Sequence, residues 1–426
     1  MIKKFSYYGL LIWGLASLFF LYEFFLQVFL STISDQLMQE FHLDASDYSI
    51  MNAGYFLPYS LMQIPVGILV DRFGARRLLT IAVTAAATGV FWFSRVHSFE
   101  YGFISRFFMG FGSSFAYVSL LVLAMNWFPK RHFGLMVGIA NFLGATGPFL
   151  AGGPLSLLLN LFNNNWRLIL VFISVLGFLL AICIGLFVRN SPGRKKGEII
   201  HLDPYKEKFS IRMKLLLKNR QAWTIVFFSA LVYLSLPLLG AYWGTGYLQA
   251  RGLSRNVAAT MSSFLWIGYA IGSPLTGKIS DQTRRRKPVL ILCALIGLLA
   301  TLSILSIPIN NVLFFICCFF LIGFASSGCS VAFASISEHV QQNVQATAIG
   351  LNNSMTTFFA AIFPPIVGFL IEIGVKNPEH IYSVQNYENG LIIMPIFYAL
   401  GLVISLFFIK ESFCRSQHEV IKVKID

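Results

Sequence analysis

A short charged stretch, residues 67–77, separates two long runs that carry no charge. The runs cover residues 51–70 and 78–93 and contain no Asp, Glu, Lys or Arg. About 20 apolar residues in a helix cross the roughly 30 Å of hydrocarbon in a bilayer, so each run has the length of a membrane span. Charges are costly inside hydrocarbon, which places the stretch between the runs at a membrane surface. The pattern therefore predicts two neighbouring membrane-spanning helices and a charged turn.

The composition extends this prediction to the whole chain of 426 residues. Hydrophobic residues make up 56% and charged residues 12%, and the mean hydropathy is +0.71. Soluble domains carry about 25% charged residues, so the chain has the composition of a membrane protein. Apolar runs between charged breaks predict twelve spans. They are residues 7–31, 49–70, 78–95, 99–127, 133–160, 167–188, 221–248, 257–280, 288–308, 311–336, 345–373 and 390–409.

The basic residues predict the orientation of these spans. A net charge of +14 would indicate nucleic-acid binding in a soluble protein. Here, if the spans alternate in direction, 26 of the 32 Lys and Arg residues lie on the side of the two termini. By the positive-inside rule, that side is the cytoplasm. We therefore expect a multi-pass protein of the bacterial inner membrane, with both termini cytoplasmic and no nucleic-acid partner.

One long polar segment, residues 189–220, divides the spans into two groups of six. It contains ten basic residues and is predicted to be a cytoplasmic linker. An amphipathic helix at the membrane surface is expected near residues 209–217. The predicted domains are a six-helix bundle at 1–188, the linker at 189–220, a second six-helix bundle at 221–410 and a cytoplasmic tail at 411–426.

The two groups of spans share sequence features at an almost constant offset. The recurring residues are Tyr59, Gly67 and Asp71 with Tyr269, Gly277 and Asp281, Gly110 with Gly323, and Asn141 with Asn353. Matches in the same order favour a true internal repeat over chance. Six spans per half return the chain to the same side, so the predicted repeat is parallel.

The charged stretch has the pattern G-x3-D-R-x-G-x-R-R. It resembles the loop between helices 2 and 3 of the major facilitator superfamily of transporters. The resemblance implies an all-α membrane protein of 12 transmembrane helices, arranged as two six-helix bundles related by a parallel repeat. It also implies transport by alternating access, in which the two bundles rock around a central site.

The resemblance further implies a gate on the cytoplasmic side. Asp71 is expected to accept hydrogen bonds from a helix N-terminus, and the basic residues after it to add ion pairs. The second copy of the loop, residues 277–287, lacks the second glycine, and Glu338 at the end of span 10 is expected to pair with its basic cluster. The predicted gate residues are Gly67, Asp71, Arg72, Gly74, Arg76, Arg77, Asp281, Arg284, Arg285 and Glu338.

Two charged residues inside spans are candidates for proton coupling. Glu23 lies in span 1 and Arg106 in span 4, both on the outer side of the midplane, where we expect them to meet. Arg106 begins an R-x3-G-x-G pattern that resembles a span-4 motif of the family, with Met109 where Gln is usual. We predict that Glu23 binds and releases the coupling proton, while Arg106 tunes its pKa or holds an anionic group of the substrate. A static ion pair between the two spans is the alternative.

Polar and aromatic residues on several spans predict a substrate cavity, which spans 1, 4, 7 and 10 line in this family. The aromatic residues fit an interfacial belt or lipid-facing positions as well. The buried amides are more informative, because an unpaired amide in hydrocarbon is costly. The predicted cavity residues are Tyr22, Tyr55, Tyr59, Gln63, Ser113, Tyr117, Asn141, Tyr233, Trp243, Trp266, Tyr269, Asn352 and Asn353.

No sequence motif indicates an enzyme, a metal site or a cofactor. The chain has no Walker loop, H-E-x-x-H or C-x-x-C, so ATP is not expected to drive it. The predicted function is that of a monomeric proton symporter for a small polar solute, either an amino acid or an organic anion. Two alternatives remain open: a proton-driven exporter of an amphipathic compound such as a drug or siderophore, and a non-transporting membrane receptor or sensor. The glycine- and proline-rich segment 144–154 partly resembles an antiporter motif of the family and favours the exporter.

Overall fold

The computed structural model describes residues 7–128, 133–191, 209–307, 311–341, 344–373 and 382–415. The chain divides into two compact units. One comprises Met1–Leu43 with Asp47–Pro204, and the other Asp44–Ser46 with Tyr205–Asp426. The division falls inside the predicted linker, but residues 192–208 lie outside the described residues, so the exact domain boundaries stay predictions.

The first unit contains nine α-helices in its described residues. They are α1 (Tyr7–Val28), α2 (Ser34–Phe41), α3 (Ala45–Phe73), α4 (Ala75–Phe93), α5 (Phe99–Ser113), α6 (Ala116–Trp127), α7 (Phe133–Ala151), α8 (Gly153–Leu161) and α9 (Trp166–Phe187). A short 3₁₀ turn at Phe29–Thr32 follows α1. The first predicted span is therefore interrupted before its end.

The second unit contains eleven α-helices in its described residues. They are α10 (Phe209–Leu217), α11 (Arg220–Tyr233), α12 (Ser235–Pro237), α13 (Gly244–Ala250), α14 (Arg255–Thr283), α15 (Lys287–Ser306), α16 (Val312–Ser326), α17 (Gly328–His339), α18 (Gln345–Glu372), α19 (Val384–Leu391) and α20 (Ile393–Val403). Helix α10 forms where the sequence predicts an amphipathic helix. A π-helical segment at Leu238–Trp243 lies between α12 and α13, so the seventh predicted span is also irregular.

Ten helical stretches among the described residues are long and apolar enough to cross a membrane. They correspond to ten of the twelve predicted spans. The other two predicted spans, the third and the eighth, form the helices α4 and α14, which are not among the ten. The helical character of all twelve is confirmed, whereas the count of twelve spans is not.

Matching glycines hold equivalent helix pairs together in the two units. Gly110 in α5 lies so close to α3 that a Cβ there would overlap the carbonyl group of Tyr55. Gly323 in α16 stands in the same relation to α14, where a Cβ would overlap the carbonyl group of Leu265. These two glycines are a pair that the sequence comparison finds, and their shared role supports the parallel internal repeat.

An ion pair closes one end of the first unit, and we call it the first clasp. At the start of α9, Arg167 Nη2 lies 2.5 Å from Glu40 Oε1, so it joins α9 to α2. Arg167 Nη1 also donates to the carbonyl oxygens of Val96 at 2.8 Å and Ser94 at 3.3 Å, just after α4. The first clasp therefore fixes three helix ends, including the segment beyond the break in span 1.

The second unit has a corresponding clasp with the opposite polarity. Arg251, after α13, lies 3.0 Å from Glu388 Oε1 in α19 and donates to the carbonyl oxygen of Ile304 in α15 at 3.2 Å. Glu40 and Arg251 are related by an offset of about 210 residues, as in the internal repeat, and Arg167 and Glu388 by about 220. The acid and the base have therefore exchanged places between the units.

Candidate functional site

The centre of the first unit holds a buried arginine, Arg106 of α5, with no exposed surface. Its Nη1 atom donates to the Leu26 carbonyl oxygen at 2.6 Å, and its Nη2 atom donates to Asn52 Oδ1 at 2.5 Å. The guanidinium carbon lies 4.6 Å from the ring centre of Tyr55 and 5.5 Å from that of Phe29. Arg106 therefore binds both α1 and α3 from α5.

The end of α1 explains why a cation is stabilising at this position. The last carbonyl groups of a helix have no partner within the helix, and the negative end of the helix dipole lies there. Leu26 belongs to this last turn, because α1 ends at Val28 and a 3₁₀ turn follows. Arg106 supplies the missing donor and a favourable charge at the break.

A second buried charge-bearing residue, Glu23, lies one turn earlier on α1. It is fully buried, and neither of its carboxyl oxygens has a hydrogen-bond partner among the described residues. The same holds for Oε1 of Gln27, which is 3% exposed and follows Glu23 by four residues. The hydroxyl groups of Tyr55 and Tyr59 lie near the carboxyl group, short of hydrogen-bond geometry. A buried carboxylate without a partner is strongly unfavourable, so this position favours binding of a cation, such as a proton.

The structure brings Glu23 and Arg106 into one neighbourhood without pairing them. Tyr55 contacts both residues, since its hydroxyl donates to the backbone carbonyl of Glu23 at 3.0 Å and its ring packs on the guanidinium group of Arg106. The carboxyl group of Glu23 accepts no hydrogen bond from Arg106. The ion pair between the two spans, which the sequence leaves as the alternative, is not formed in this structure. The guanidinium group binds Asn52 and the end of α1 instead.

Three predicted cavity residues lie along one face of α3, beginning beside Glu23 of α1. Tyr55, Tyr59 and Gln63 are spaced four residues apart, which places them on the same side of a helix. The rings of Tyr55 and Tyr59 stack at 6.1 Å, and Gln63 Nε2 donates to the Tyr59 carbonyl oxygen at 3.4 Å. This polar row and Glu23 form the candidate site in the first unit.

Other predicted cavity residues of the first unit lie elsewhere. The Tyr22 hydroxyl donates to the carbonyl oxygen of Ile173 at 3.2 Å, so this side chain packs on α9. Tyr117 stacks on Phe20 at 5.1 Å and lies beside the amide of Asn141, whose side chain is exposed. Ser113 is fully buried. None of these contacts tests a role in substrate binding, which stays a prediction.

In the second unit, the predicted cavity residues form separate groups. Tyr233 and Tyr269 have ring centres 6.2 Å apart, and Trp243 packs against Tyr387 at 6.1 Å. Trp266 is 1% exposed. These aromatic contacts join α11 to α14, and the irregular part of span 7 to α19.

The two adjacent amides of the second unit have different surroundings. Asn352 is fully buried, and its Nδ2 donates to the Ser229 hydroxyl at 3.0 Å, which joins α18 to α11. Asn353 is half-buried, and its backbone carbonyl accepts the hydroxyl of Thr357 at 2.9 Å. Asn352 thus makes an interhelix contact, and its role in the substrate cavity stays a prediction.

The predicted gate in the first unit binds the end of α9. The backbone N–H of Arg76 donates to Asn190 Oδ1 at 2.9 Å, and Arg76 Nε donates to the Gly185 carbonyl oxygen at 3.1 Å. Asn126 Nδ2 donates to the Asn190 carbonyl oxygen at 3.0 Å. Gly74 has a φ of +80° and lies against the Asn190 amide, so this position requires glycine.

The remaining gate residues of the first unit are less informative. Arg72 and Arg77 are exposed, and Gly67 has open space where a Cβ would be. The side chain of Asp71 lies outside the described residues. Its predicted role is therefore not examined by this structure.

The corresponding loop of the second unit forms an ionic cluster around Arg286. Its Nη1 atom lies 2.6 Å from Asp281 Oδ1 and its Nη2 atom 2.8 Å from Glu338 Oε1. Glu411 accepts hydrogen bonds from the backbone N–H groups of Arg286 at 2.8 Å and Lys287 at 3.0 Å. Glu338 thus pairs with the basic cluster as expected, but through Arg286, which the predicted gate omits. Arg284 and Arg285 are exposed.

Four residues of these sites escaped the sequence analysis: Asn52, Asn190, Arg286 and Glu411. Asn52 carries the clearest signal, since it is one of two amides, with Gln63, in the uncharged run before the loop. Asn190 and Glu411 occupy corresponding places after the last helix of each half. A comparison of the two halves beyond their spans would have found them.

Comparison with known proteins decides the family. The protein-family model described as Major Facilitator Superfamily matches residues 15–254 and 229–419 of this chain. The chain belongs to the major facilitator superfamily. This confirms the predicted all-α fold with its internal repeat, apart from the exact number of spans.

Two bacterial relatives in the major facilitator superfamily match most of the chain. A hexuronate transporter of Bacillus subtilis is 23% identical over 369 residues, which cover 80% of this chain and 83% of the relative. A probable L-galactonate transporter of Escherichia coli is 24% identical over 410 residues, which cover 90% of this chain and 85% of the relative. A probable nitrate/nitrite antiporter of Thermus thermophilus is 28% identical, but over 58% of this chain and 56% of its own length.

Solved structures share the fold at low sequence identity. A bacterial homologue of the human lysosomal transporter Spinster has a TM-score of 0.77 and 15% identity, over 95% of this chain and 98% of that one. The nucleoside transporter NupG has a TM-score of 0.71 and 14% identity, over 94% of this chain and 98% of that one. Family, fold and apolar helices together establish a multi-pass membrane transporter of small solutes.

Proposed function

We propose that this transporter moves a small organic anion across the bacterial inner membrane, coupled to protons through Glu23. The observation that carries the coupling is the fully buried carboxyl group of Glu23, whose oxygens have no partner among the described residues. Protonation removes the charge that burial penalises most. Exposure of the site to water on one side and then the other would let the carboxyl group take up and release a proton in turn.

The choice of an organic anion rests on the relatives. Their names specify hexuronate, L-galactonate, nitrate or nitrite, and glycerol-3-phosphate, all of which are anions. An amino acid, the other solute class that the sequence leaves open, has no counterpart among these names. Symport with protons suits anion uptake, because the proton offsets the negative charge that the substrate carries across the membrane.

Within this proposal, Arg106 positions the site and does not meet the substrate. Its guanidinium group is fully buried and already binds Leu26 and Asn52. A substrate anion would have to break both of these charge-assisted hydrogen bonds to reach it, at roughly 1.5–3 kcal/mol each. We therefore assign two roles to Arg106: it binds the end of α1, and it places a positive charge near Glu23.

The membrane setting and the gate complete the proposal. Bacterial relatives and the excess of basic residues support an inner-membrane protein with both termini in the cytoplasm, and we propose that it acts as a monomer. The loops around Arg76 and Arg286 would then lie on the cytoplasmic side. There we propose that they form the gate with the other predicted gate residues.

Uptake into proteoliposomes tests this function. Purified protein would face an inward proton gradient and a panel of labelled hexuronates, aldonates, sugar phosphates and neutral amino acids. We expect gradient-driven accumulation of an anion and no accumulation of the neutral compounds. Accumulation of a neutral amino acid, or of none of these compounds, would contradict the proposal.

Exchange or export is the second candidate, favoured by one observation. A relative named nitrite extrusion protein, from Bacillus subtilis, is 30% identical over 30% of this chain, and another is named as an antiporter. Vesicles preloaded with unlabelled anion separate the two modes. Exchange requires anion on both sides and needs no proton gradient, whereas symport accumulates anion from one side only.

A further inference from the structure

Two buried acceptors lie one helical turn apart on α1. Glu23 has no exposed surface and Gln27 is 3% exposed. The carboxyl oxygens of Glu23 and the Oε1 atom of Gln27 lack a hydrogen-bond partner among the described residues. Buried acceptors of this kind are rare in folded proteins, and each leaves a desolvation penalty uncompensated.

One proton would satisfy both groups. Residues four apart on a helix are neighbours, with Cβ atoms about 5–6 Å apart, which two side chains of this length easily span. A neutral carboxyl group is a donor as well as an acceptor, whereas an ionised one only accepts. If Glu23 is protonated, its O–H can donate to Gln27 Oε1. If Glu23 is ionised, it can only accept, and in the amide orientation of this structure the Oε1 atom of Gln27 offers it no hydrogen.

We propose that Gln27 receives the hydrogen bond of protonated Glu23 and thereby stabilises the proton-loaded state of the transporter. This inference rests on the proposed coupling role of Glu23 and assigns a positioning residue to it. When the site opens to water of higher pH, the proton passes from Glu23 to water. The ionised carboxylate then turns from Gln27 towards donors.

Titratable groups surround this part of α1 from α3, α5 and α6, and Tyr117 of α6 stacks on Phe20. From α3, the hydroxyls of Tyr55 and Tyr59 lie near the carboxyl group. From α5, Arg106 binds the Leu26 carbonyl, within the same turn of α1 as Gln27. Helix α7, which also packs on α1, has no titratable side chain in its described residues. Gln27 is thus the acceptor of this group, and the hydroxyls of Tyr55 and Tyr59 are the donors near the carboxyl group.

The test uses full-length protein in proteoliposomes and the substitution Gln27→Met, which keeps the length of the side chain and removes the acceptor. Proton-driven uptake is measured against external pH. We expect half-maximal uptake to move to lower pH by about one unit, the tenfold change that roughly 1.4 kcal/mol of lost hydrogen bonding produces. Leu79→Met changes another fully buried side chain of the same unit, outside the candidate site, and serves as a comparison for packing effects. An unchanged pH profile in Gln27→Met would overturn the inference.

Infrared difference spectroscopy gives a second readout that is independent of turnover. The carbonyl stretch of protonated Glu23 is identified as the band that disappears in Glu23→Gln. We expect Gln27→Met to move this band to the higher frequency of a carboxyl group without a hydrogen-bonded O–H. A band at the wild-type position would contradict the inference.

The two failures are distinguishable. If Glu23→Gln still accumulates substrate on a proton gradient, the proposed function itself is refuted. If Glu23→Gln abolishes accumulation but Gln27→Met matches the wild type in pH profile and infrared band, the coupling role stands and only Gln27 is misassigned.

Discussion

Reversing the charge of Arg167 in the first clasp should destabilise the protein. Exchanging the charges of Arg167 and Glu40 together should restore much of the lost stability. In Arg167→Glu, the ion pair with Glu40 and the hydrogen bonds to the carbonyl oxygens of Val96 and Ser94 are lost. Two carboxylates then face each other where one pair stood. In Glu40→Arg with Arg167→Glu, the polarity becomes that of the second unit, in which Arg251 and Glu388 form the clasp.

The structure sets the size of the expected effect. The side chains of Arg167 and Glu40 are 23% and 39% exposed, so after solvent screening the ion pair contributes no more than about 1 kcal/mol. The carbonyl hydrogen bonds of a charged donor add about 1.5–3 kcal/mol. Arg167→Glu should therefore destabilise the protein by about 2–4 kcal/mol.

The second unit predicts how much the double substitution recovers. Arg251 reaches the carbonyl oxygen of Ile304, which corresponds to that of Ser94 in the repeat. An arginine at position 40 is therefore expected to regain the ion pair and one carbonyl hydrogen bond. At least half of the lost stability should return.

Thermal unfolding of the purified protein measures this prediction. At about 2–4 °C per kcal/mol for a unit of this size, Arg167→Glu should lower the melting temperature by about 5–15 °C. Glu40→Arg alone should lower it as well, because two guanidinium groups then face each other. A double variant that melts no higher than Arg167→Glu would refute the equivalence of the two clasps.

Three further predictions follow from the buried charges and close contacts. Arg106→Lys keeps the charge, but one ammonium group cannot bind Leu26 and Asn52 as the planar guanidinium does. We expect the free energy of unfolding to fall by about 2–3 kcal/mol, measured by thermal unfolding. A melting temperature equal to that of the wild type would contradict this. Gly110→Ala should destabilise by at least about 1–3 kcal/mol because α5 must move away from α3, and Gly14→Ala, which meets nothing within 4 Å, is the control. Burial acts to lower the pKa of Arg286, but its hydrogen bonds to Glu338 and Asp281 outweigh burial and hold the pKa above its ordinary value. A raised pKa contributes stability that is fully present below the unfolded-state pKa and is lost as the pH rises through the folded-state pKa. The difference in melting temperature between wild type and Arg286→Ala should therefore stay constant from about pH 7 to 10, below both values. A difference that shrinks over this range would show that another group controls the cluster.

The fold was predictable from the sequence because span length and low charge leave few alternatives. Residues 51–70 and 78–93 have no charge and become the helices α3 and α4. The pairing of Glu338 with the second basic cluster also follows from the sequence, since both lie at neighbouring helix ends. The sequence does not show which arginine forms this ion pair. Arg284 adopts the left-handed conformation that ends α14, and the chain beyond this turn places Arg286 against Glu338.

The candidate site was less predictable, for a physical reason. A charged residue within an apolar run is easy to identify, so the sequence alone points to Glu23 and Arg106. Their partners depend on helix rotation and on the break after Val28, which a list of residues does not specify. Arg106 therefore binds an amide and a helix end, while Glu23 keeps an unpaired carboxyl group.

The central claim is that Glu23 carries the coupling proton. The most direct measurement follows proton movement with a pH-sensitive dye inside proteoliposomes, after a transported anion is added outside without an imposed pH gradient. Glu100→Gln, which removes an exposed carboxylate of α5, is the matched control. The account predicts proton entry with the anion in the wild type and in Glu100→Gln. In Glu23→Gln it predicts no proton entry, with anion exchange retained. Proton entry at the wild-type rate in Glu23→Gln would contradict the account.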